Sequence, residues 1–89
     1  MLMEQQHQAH LARLGELLEV IHATRDMRAR STLFKFYKNC SDCYKELDRE
    51  MVNCRRTRRV TPKYTDLEAQ FLECVNTCEQ WQIMAKLMY

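Results

Sequence analysis

Four cysteines lie in two pairs whose spacing suits redox chemistry or metal binding. Cys40 and Cys43 form a CxxC pair in KNCSDCYKEL, and Cys74 and Cys78 form a CxxxC pair in ECVNTCEQW. Paired thiols can close a disulfide or supply ligands to a tetrahedral zinc ion. Either chemistry requires the two pairs to be brought together, so the elements that carry them decide what the cysteines can do.

The composition favours helices. The chain has 89 residues, with one glycine, one proline and a net charge of +2. Abundant Leu, Met, Glu, Gln, Lys and Arg suit helices, and the scarcity of glycine leaves little turn chemistry for β-hairpins. A chain of this length forms one domain with a small core, which makes a second copy or another partner a standing expectation. The sequence therefore predicts a single all-α domain over residues 1–89.

Three amphipathic helices are predicted, at about 3–24, 32–58 and 62–88. The break at Thr61-Pro62 is the clearest boundary, because the residue before proline avoids the α conformation and proline suits the first helical position. The RRTRR segment before it places cations at the end of the middle helix, where they complement the helix dipole. In the first helix, a stripe of Leu11, Leu14, Leu18 and Ile21 is joined by Leu17 and Val20.

Apolar residues of the last two helices alternate by threes and fours, as in a coiled coil. They predict an antiparallel hairpin, with or without the first helix as the third member of a bundle. We call these residues the hydrophobic seam: Leu33, Tyr37, Cys40, Tyr44, Leu47, Met51 and Cys54 in the second helix, and Tyr64, Leu67, Phe71, Cys74, Cys78 and Trp81 in the third.

The register of the hairpin decides which cysteines meet. A turn near residue 60 favours the register in which Cys40 faces Cys78, with Cys43 and Cys74 one turn away on adjacent positions. A shift by one heptad also keeps every seam residue inside. The register thus remains open, although the preferred one brings the two pairs together.

Three interpretations of the cysteines remain open. The favoured one is reduced cysteines filling a core layer, since free cysteine is commonly buried. The second is a pair of disulfides, Cys40 to Cys78 and Cys43 to Cys74. In this form the chain resembles the twin-cysteine helical hairpins of the mitochondrial intermembrane space, although their paired motifs have equal spacings and these do not. The third is a zinc site of the same four cysteines; a variant of it uses His7 and His10, which we otherwise expect to be solvated.

A basic segment follows the second helix and could contact an acidic partner. It consists of Arg55, Arg56, Arg58, Arg59 and Lys63. No aromatic residue is interleaved for base stacking and the net charge is low, which makes nucleic acid an unfavoured partner. We interpret the segment chiefly as a charged helix end.

Surplus apolar residues on the last two helices predict that either a third helix, the Leu11 to Ile21 segment, or a partner covers them. Phe34, Phe36 and Tyr37 cannot all face one core, and Met84, Leu87 and Met88 extend the apolar surface of the last helix. Methionine is adaptable at binding surfaces. The partner is either another protein or a second copy of the chain.

The functional expectation is a non-enzymatic interaction module that dimerises or docks a partner. No phosphate-binding loop or nucleophile elbow is visible, no cofactor is expected beyond the zinc alternative, and no apolar run suits a membrane span. Without a recognisable secretory signal, cytoplasm or nucleus is expected, or the intermembrane space if the disulfides form. The alternatives are a disulfide- or zinc-linked hairpin acting as an assembly factor, and a basic module associated with nucleic acid.

Overall fold

Three α-helices pack against one another in the computed structural model, which describes residues 2–88 and the side chains of residues 3–87. The predicted domain also includes Met1 and Tyr89, which lie outside the described residues, as does the side chain of Met88. The helices are α1 (Leu2–Ala23), α2 (Met27–Thr57) and α3 (Pro62–Met88). The described residues contain no strand, so the predicted all-α fold is confirmed as a small three-helix bundle.

Short connections make the bundle run up, down and up. The start of α1 meets the end of α2 through Glu4 and Arg55, and α1 meets α3 through Leu17 and Gln82. A helix of 31 residues is about 46 Å long, and the bundle measures 47 Å along its longest axis. α2 therefore spans the whole bundle, and the other two helices pack along it.

α2 begins at Met27, earlier than the predicted start near residue 32. The Asp26 side chain accepts a hydrogen bond from the Ala29 backbone N–H at 2.8 Å, which caps the helix. Aspartate is a favoured N-cap because its carboxylate satisfies a free N–H and complements the helix dipole. The weak apolar pattern between Met27 and Leu33 concealed this start, whereas the cap residue marks it.

The turn between α2 and α3 depends on Thr61 and Glu50. Arg58 adopts the left-handed conformation (φ 59°), and its N–H closes α2 by donating to the Cys54 carbonyl. The Thr61 hydroxyl accepts from the Tyr64 N–H at 3.1 Å and donates to the buried Glu50 carboxylate at 2.7 Å. This donation lowers the pKa of the Glu50 carboxyl, so the stabilisation is present above the ordinary pKa and is lost in acid.

We expect Thr61→Ala to lower the free energy of unfolding by about 1–2 kcal/mol, because it removes the cap of α3 and a hydrogen-bond donor to Glu50. Urea denaturation at neutral pH measures this loss. Thr65→Ala is the matched control. The Thr65 hydroxyl lies on the exposed first turn of α3 and donates only to the Thr61 carbonyl. Equal losses in the two variants would contradict the capping role of Thr61.

The core lies where the three helices meet. Most seam residues are buried within it: Leu33, Cys40, Leu47, Met51, Cys54, Tyr64, Phe71 and Cys78. Four more are partly buried at its edge: Tyr37, Tyr44, Leu67 and Cys74. The exception is Trp81, which is 41% exposed, so the seam prediction is wrong at this residue.

The position of α1 explains the exposure of Trp81. A two-helix seam would bury Trp81, but α1 also packs on α3 and draws its buried face toward Val75, Cys78 and Gln82. The Gln82 amide donates to the Leu17 carbonyl of α1 at 3.1 Å, which satisfies this buried polar group. Trp81 is thereby left at the outer edge of the α2–α3 contact.

Candidate functional site

The four paired cysteines meet between the middles of α2 and α3. The Cys43 and Cys74 sulfur atoms are 3.6 Å apart, and the Cys40 thiol lies beside that of Cys78. These are the contacts that the preferred register places together. All five cysteines of the chain, including the buried Cys54, are free thiols in the structure.

The two pairs differ in their access to solvent. Cys40 and Cys78 are fully buried, whereas Cys43 and Cys74 are half-buried at the edge of the core. The contact with Cys78, together with burial, raises the pKa of the Cys40 thiol above its ordinary value. Burial, and then the contact with Cys74, raises the pKa of Cys43 to about 11. Because the thiolate is the reactive form, the raised pKa makes each of these two thiols less reactive at neutral pH.

Two of the thiols lie in a buried layer and two in a layer nearer the surface. A zinc site would need all four sulfur atoms arranged as a tetrahedron around one ion. Within residues 2–88, no group of three or more His, Cys, Asp or Glu side chains is placed to hold a metal ion. His7 and His10, the alternative zinc ligands, instead contact Asp48 and Glu68. Both histidines thus pair with carboxylates of the other helices and not with the thiols.

Two cavities lie along the outer face between α2 and α3, on either side of a stacked aromatic pair. The rings of Phe36 and Trp81 are 5.5 Å apart with an interplanar angle of 22°. One cavity, of about 340 Å³, contains the surface thiols and is lined by Phe36, Asn39, Cys43, Gln70, Glu73, Cys74 and Thr77. The other, of about 120 Å³, is mainly apolar; we call it the apolar groove, and Arg28, Ala29, Thr32, Leu33, Trp81, Met84 and Ala85 line it.

Large apolar side chains are exposed over the last turns of α3. Besides Trp81, the exposed fractions are 60% for Ile83, 46% for Met84 and 83% for Leu87. Met27, at the start of α2, is also exposed at the same end of the bundle. Large apolar side chains exposed together on one surface often mark a binding site, so this end has the character of a contact surface.

Cations surround the apolar groove. Arg28 lines the groove itself, and Arg25 and Lys86 line an adjoining cavity that shares Ala85 with it. Among the residues lining these two cavities, Asp26 supplies the one carboxylate, which already accepts from the Ala29 N–H. The immediate surroundings of the groove are therefore positively charged.

The predicted acidic-partner segment lies at the opposite end of the bundle. Arg55 donates through two nitrogens to the Glu4 carboxylate of α1, at 2.6 and 3.2 Å, and Arg56 donates to Asn53. The other members, Arg58, Arg59 and Lys63, are exposed around the turn. Part of this charge thus serves the bundle itself, and the segment is separate from the apolar groove.

His7 is 3% exposed, so the prediction that it is solvated is wrong. Its Nε2–H donates to the Asp48 carboxylate at 2.8 Å, which leaves Nδ1 to accept from the Tyr64 hydroxyl at 3.0 Å. Its ring stacks on Tyr44 with centroids 5.2 Å apart. His10, also expected in solvent, is partly buried against Phe71 and bonds to Glu68 at 2.7 Å.

A sequence signal for His7 existed in the heptad of α1. Met3, His7, Leu14, Leu17 and Ile21 are buried, whereas Leu11 of the predicted stripe is exposed. Along α1, spacings of four and three alternate through Met3, His7, His10, Leu14, Leu17 and Ile21. The apolar pattern did not indicate this stripe because two of its members are histidines. The Asp48–His7–Tyr64 chain of hydrogen bonds joins all three helices, and both of its ring side chains are buried. It is a hydrogen-bonded core contact.

No protein family, curated protein or solved structure was found to match this chain. None of the helices described over residues 2–88 carries an apolar stretch sufficient to cross a bilayer.

Proposed function

We propose that this chain is a non-enzymatic docking module whose apolar groove binds an amphipathic helical segment of a different protein. The observation that carries the proposal is the exposed Trp81, stacked on Phe36 at the edge of a groove lined by Leu33 and Met84. Tryptophan, methionine and arginine are enriched in protein interfaces, and tryptophan often dominates binding energy. An apolar helix face laid along a groove between two helices is a recurring mode of recognition.

The charges favour a partner other than a second copy. In a two-fold symmetric dimer the same surface is used by both chains, so the Arg25, Arg28 and Lys86 groups of one copy would lie near those of the other. Like charges brought together at an interface weaken it and suppress that pairing. A segment whose apolar face is flanked by glutamate or aspartate would complement the groove in both shape and charge.

We expect a synthetic amphipathic helix with leucines at helical spacing and glutamate flanks to bind the full chain, and a lysine-flanked peptide of the same pattern to bind at least about tenfold more weakly. Trp81 is the single tryptophan of the chain and reports directly on the groove. Binding should shift its emission to shorter wavelength, protect it from acrylamide quenching, and weaken as salt is added.

A matched pair of variants distinguishes binding in the groove from non-specific binding to exposed apolar residues. Met84→Glu places a carboxylate in the groove and should abolish the response to the glutamate-flanked peptide. Val52→Glu makes the same change at an exposed apolar residue of α2 outside the groove and should leave it intact. Equal binding of the two peptides, equal effects of the two variants, or no change at Trp81 would overturn the proposal.

The oligomeric state is the second arm of the test. We expect sedimentation velocity to show a monomer without the peptide. A dimer that Met84→Glu dissociates and Val52→Glu does not would show that the groove binds a second copy, and would overturn the choice of a different protein as the partner.

A further inference from the structure

We propose that Cys43 and Cys74 are a redox-active dithiol that disulfides oxidise to an intramolecular bond between α2 and α3. Their sulfur atoms are 3.6 Å apart across the helix interface. A disulfide has a sulfur–sulfur distance of about 2.05 Å. Rotation of the two side chains and a slight approach of the helices would close this gap.

Access distinguishes this pair from the other cysteines. Cys43 and Cys74 open into the cavity of about 340 Å³, whose lining also includes Phe36 and the polar residues Asn39, Gln70, Glu73 and Thr77. Asn39, Gln70 and Thr77 offer hydrogen bonds to the peptide-like groups of a small hydrophilic disulfide. Cys40, Cys54 and Cys78 are fully buried, so an incoming reagent cannot reach them in the folded chain.

The reaction is two successive thiol–disulfide exchanges, with the incoming disulfide as the oxidant. One thiol loses its proton and attacks a sulfur atom of the incoming disulfide, which forms a mixed disulfide and releases one thiolate. The second cysteine, as thiolate, then attacks the chain's own sulfur and releases the other thiolate. The chain loses two protons and two electrons, and the incoming disulfide takes them up to become two thiols.

The raised pKa of Cys43, about 11, makes exchange through this thiol slow at neutral pH and faster in alkali. We therefore expect the pair to equilibrate slowly with the disulfides around it. A catalyst of disulfide exchange would instead need a thiol of low pKa. The bond would join two helices of the same chain, which restricts the unfolded chain and raises the melting temperature. This site does not rest on the docking proposal, because the thiols lie on the far side of the Phe36–Trp81 stack from the apolar groove.

The test incubates the full chain with glutathione disulfide at mildly alkaline pH and follows its intact mass. We expect the loss of two hydrogens, a Cys43–Cys74 link in the peptide map, and a melting temperature raised by about 10 °C. Dithiothreitol should reverse all of these changes. A product that keeps glutathione on both thiols, or that carries an intermolecular or a Cys40–Cys78 link, would overturn the proposal.

Single variants give the matched controls. Cys43→Ser and Cys74→Ser should each stop at one mixed glutathione adduct without the gain in melting temperature. Cys54→Ser removes a buried cysteine that lies near the α2–α3 turn and should still lose two hydrogens. Closure of the bond in either Cys43→Ser or Cys74→Ser, or its failure in a folded Cys54→Ser chain, would show that other cysteines form it.

Discussion

Phe71→Ala is expected to lower the free energy of unfolding by about 3–5 kcal/mol, a large share of the stability of a domain of this size. Phe71 is the largest fully buried side chain within residues 3–87, with an exposed fraction of 0%. Its ring lies 5.2 Å from that of His10 in α1 and 5.9 Å from that of Tyr44 in α2. Removal of the ring therefore leaves a cavity at the point where all three helices meet.

Urea denaturation followed by circular dichroism measures this loss. Phe34→Ala is the control, because Phe34 is half-buried near the start of α2, against the exposed His22. We expect the control to lose less than half as much stability. Similar losses in the two variants would show that the helices do not share a core layer at Phe71.

His7→Ala is expected to cost about 2–4 kcal/mol. It leaves the buried Tyr64 hydroxyl without its acceptor and opens a space beneath Tyr44. His22→Ala is the matched control, since His22 is exposed and we expect a change within about 0.5 kcal/mol. If both variants unfold at the same urea concentration as the parent chain, the buried position of His7 is contradicted.

Alkaline titration tests the burial of Tyr64, the hydrogen-bond partner of His7. Burial raises the pKa of the Tyr64 hydroxyl to about 12. The folded state favours the neutral phenol, so this contribution to stability is complete below about pH 10 and is lost as the pH rises from there to about 12. We expect Tyr64→Phe to remove the late phase of tyrosinate absorbance, whereas a parent chain with no late phase would contradict the burial of this hydroxyl.

The helices and the contact between α2 and α3 were largely predictable, because both depend on local patterns. Pro62 and Thr61 mark the start of α3 through backbone restriction and capping. The run of alternating spacings from Leu33 to Cys54 places one stripe toward the partner helix. The structure bears this out in the pairs that Cys40 and Cys43 form with α3.

The errors arose where a third helix changed which face is inside. The apolar pattern of α1 indicated Leu11, but the buried stripe runs through His7, whose polar ring is acceptable inside only because Asp48 and Tyr64 satisfy both of its nitrogens. Trp81 satisfied the pattern of a two-helix seam. The packing of α1 instead buries Gln82, whose amide donates to the Leu17 carbonyl, and leaves the indole at the surface.

The sequence by itself determined an all-α chain of three helices and the presence of two cysteine pairs, because helix periodicity and capping act over a few residues. Only the tertiary structure decided which thiol pair is buried and which is accessible, that His7 is inside, and that Trp81 borders a cation-flanked groove. These properties depend on how α1 lies across the α2–α3 pair, which is set by complementary packing between residues far apart in the chain.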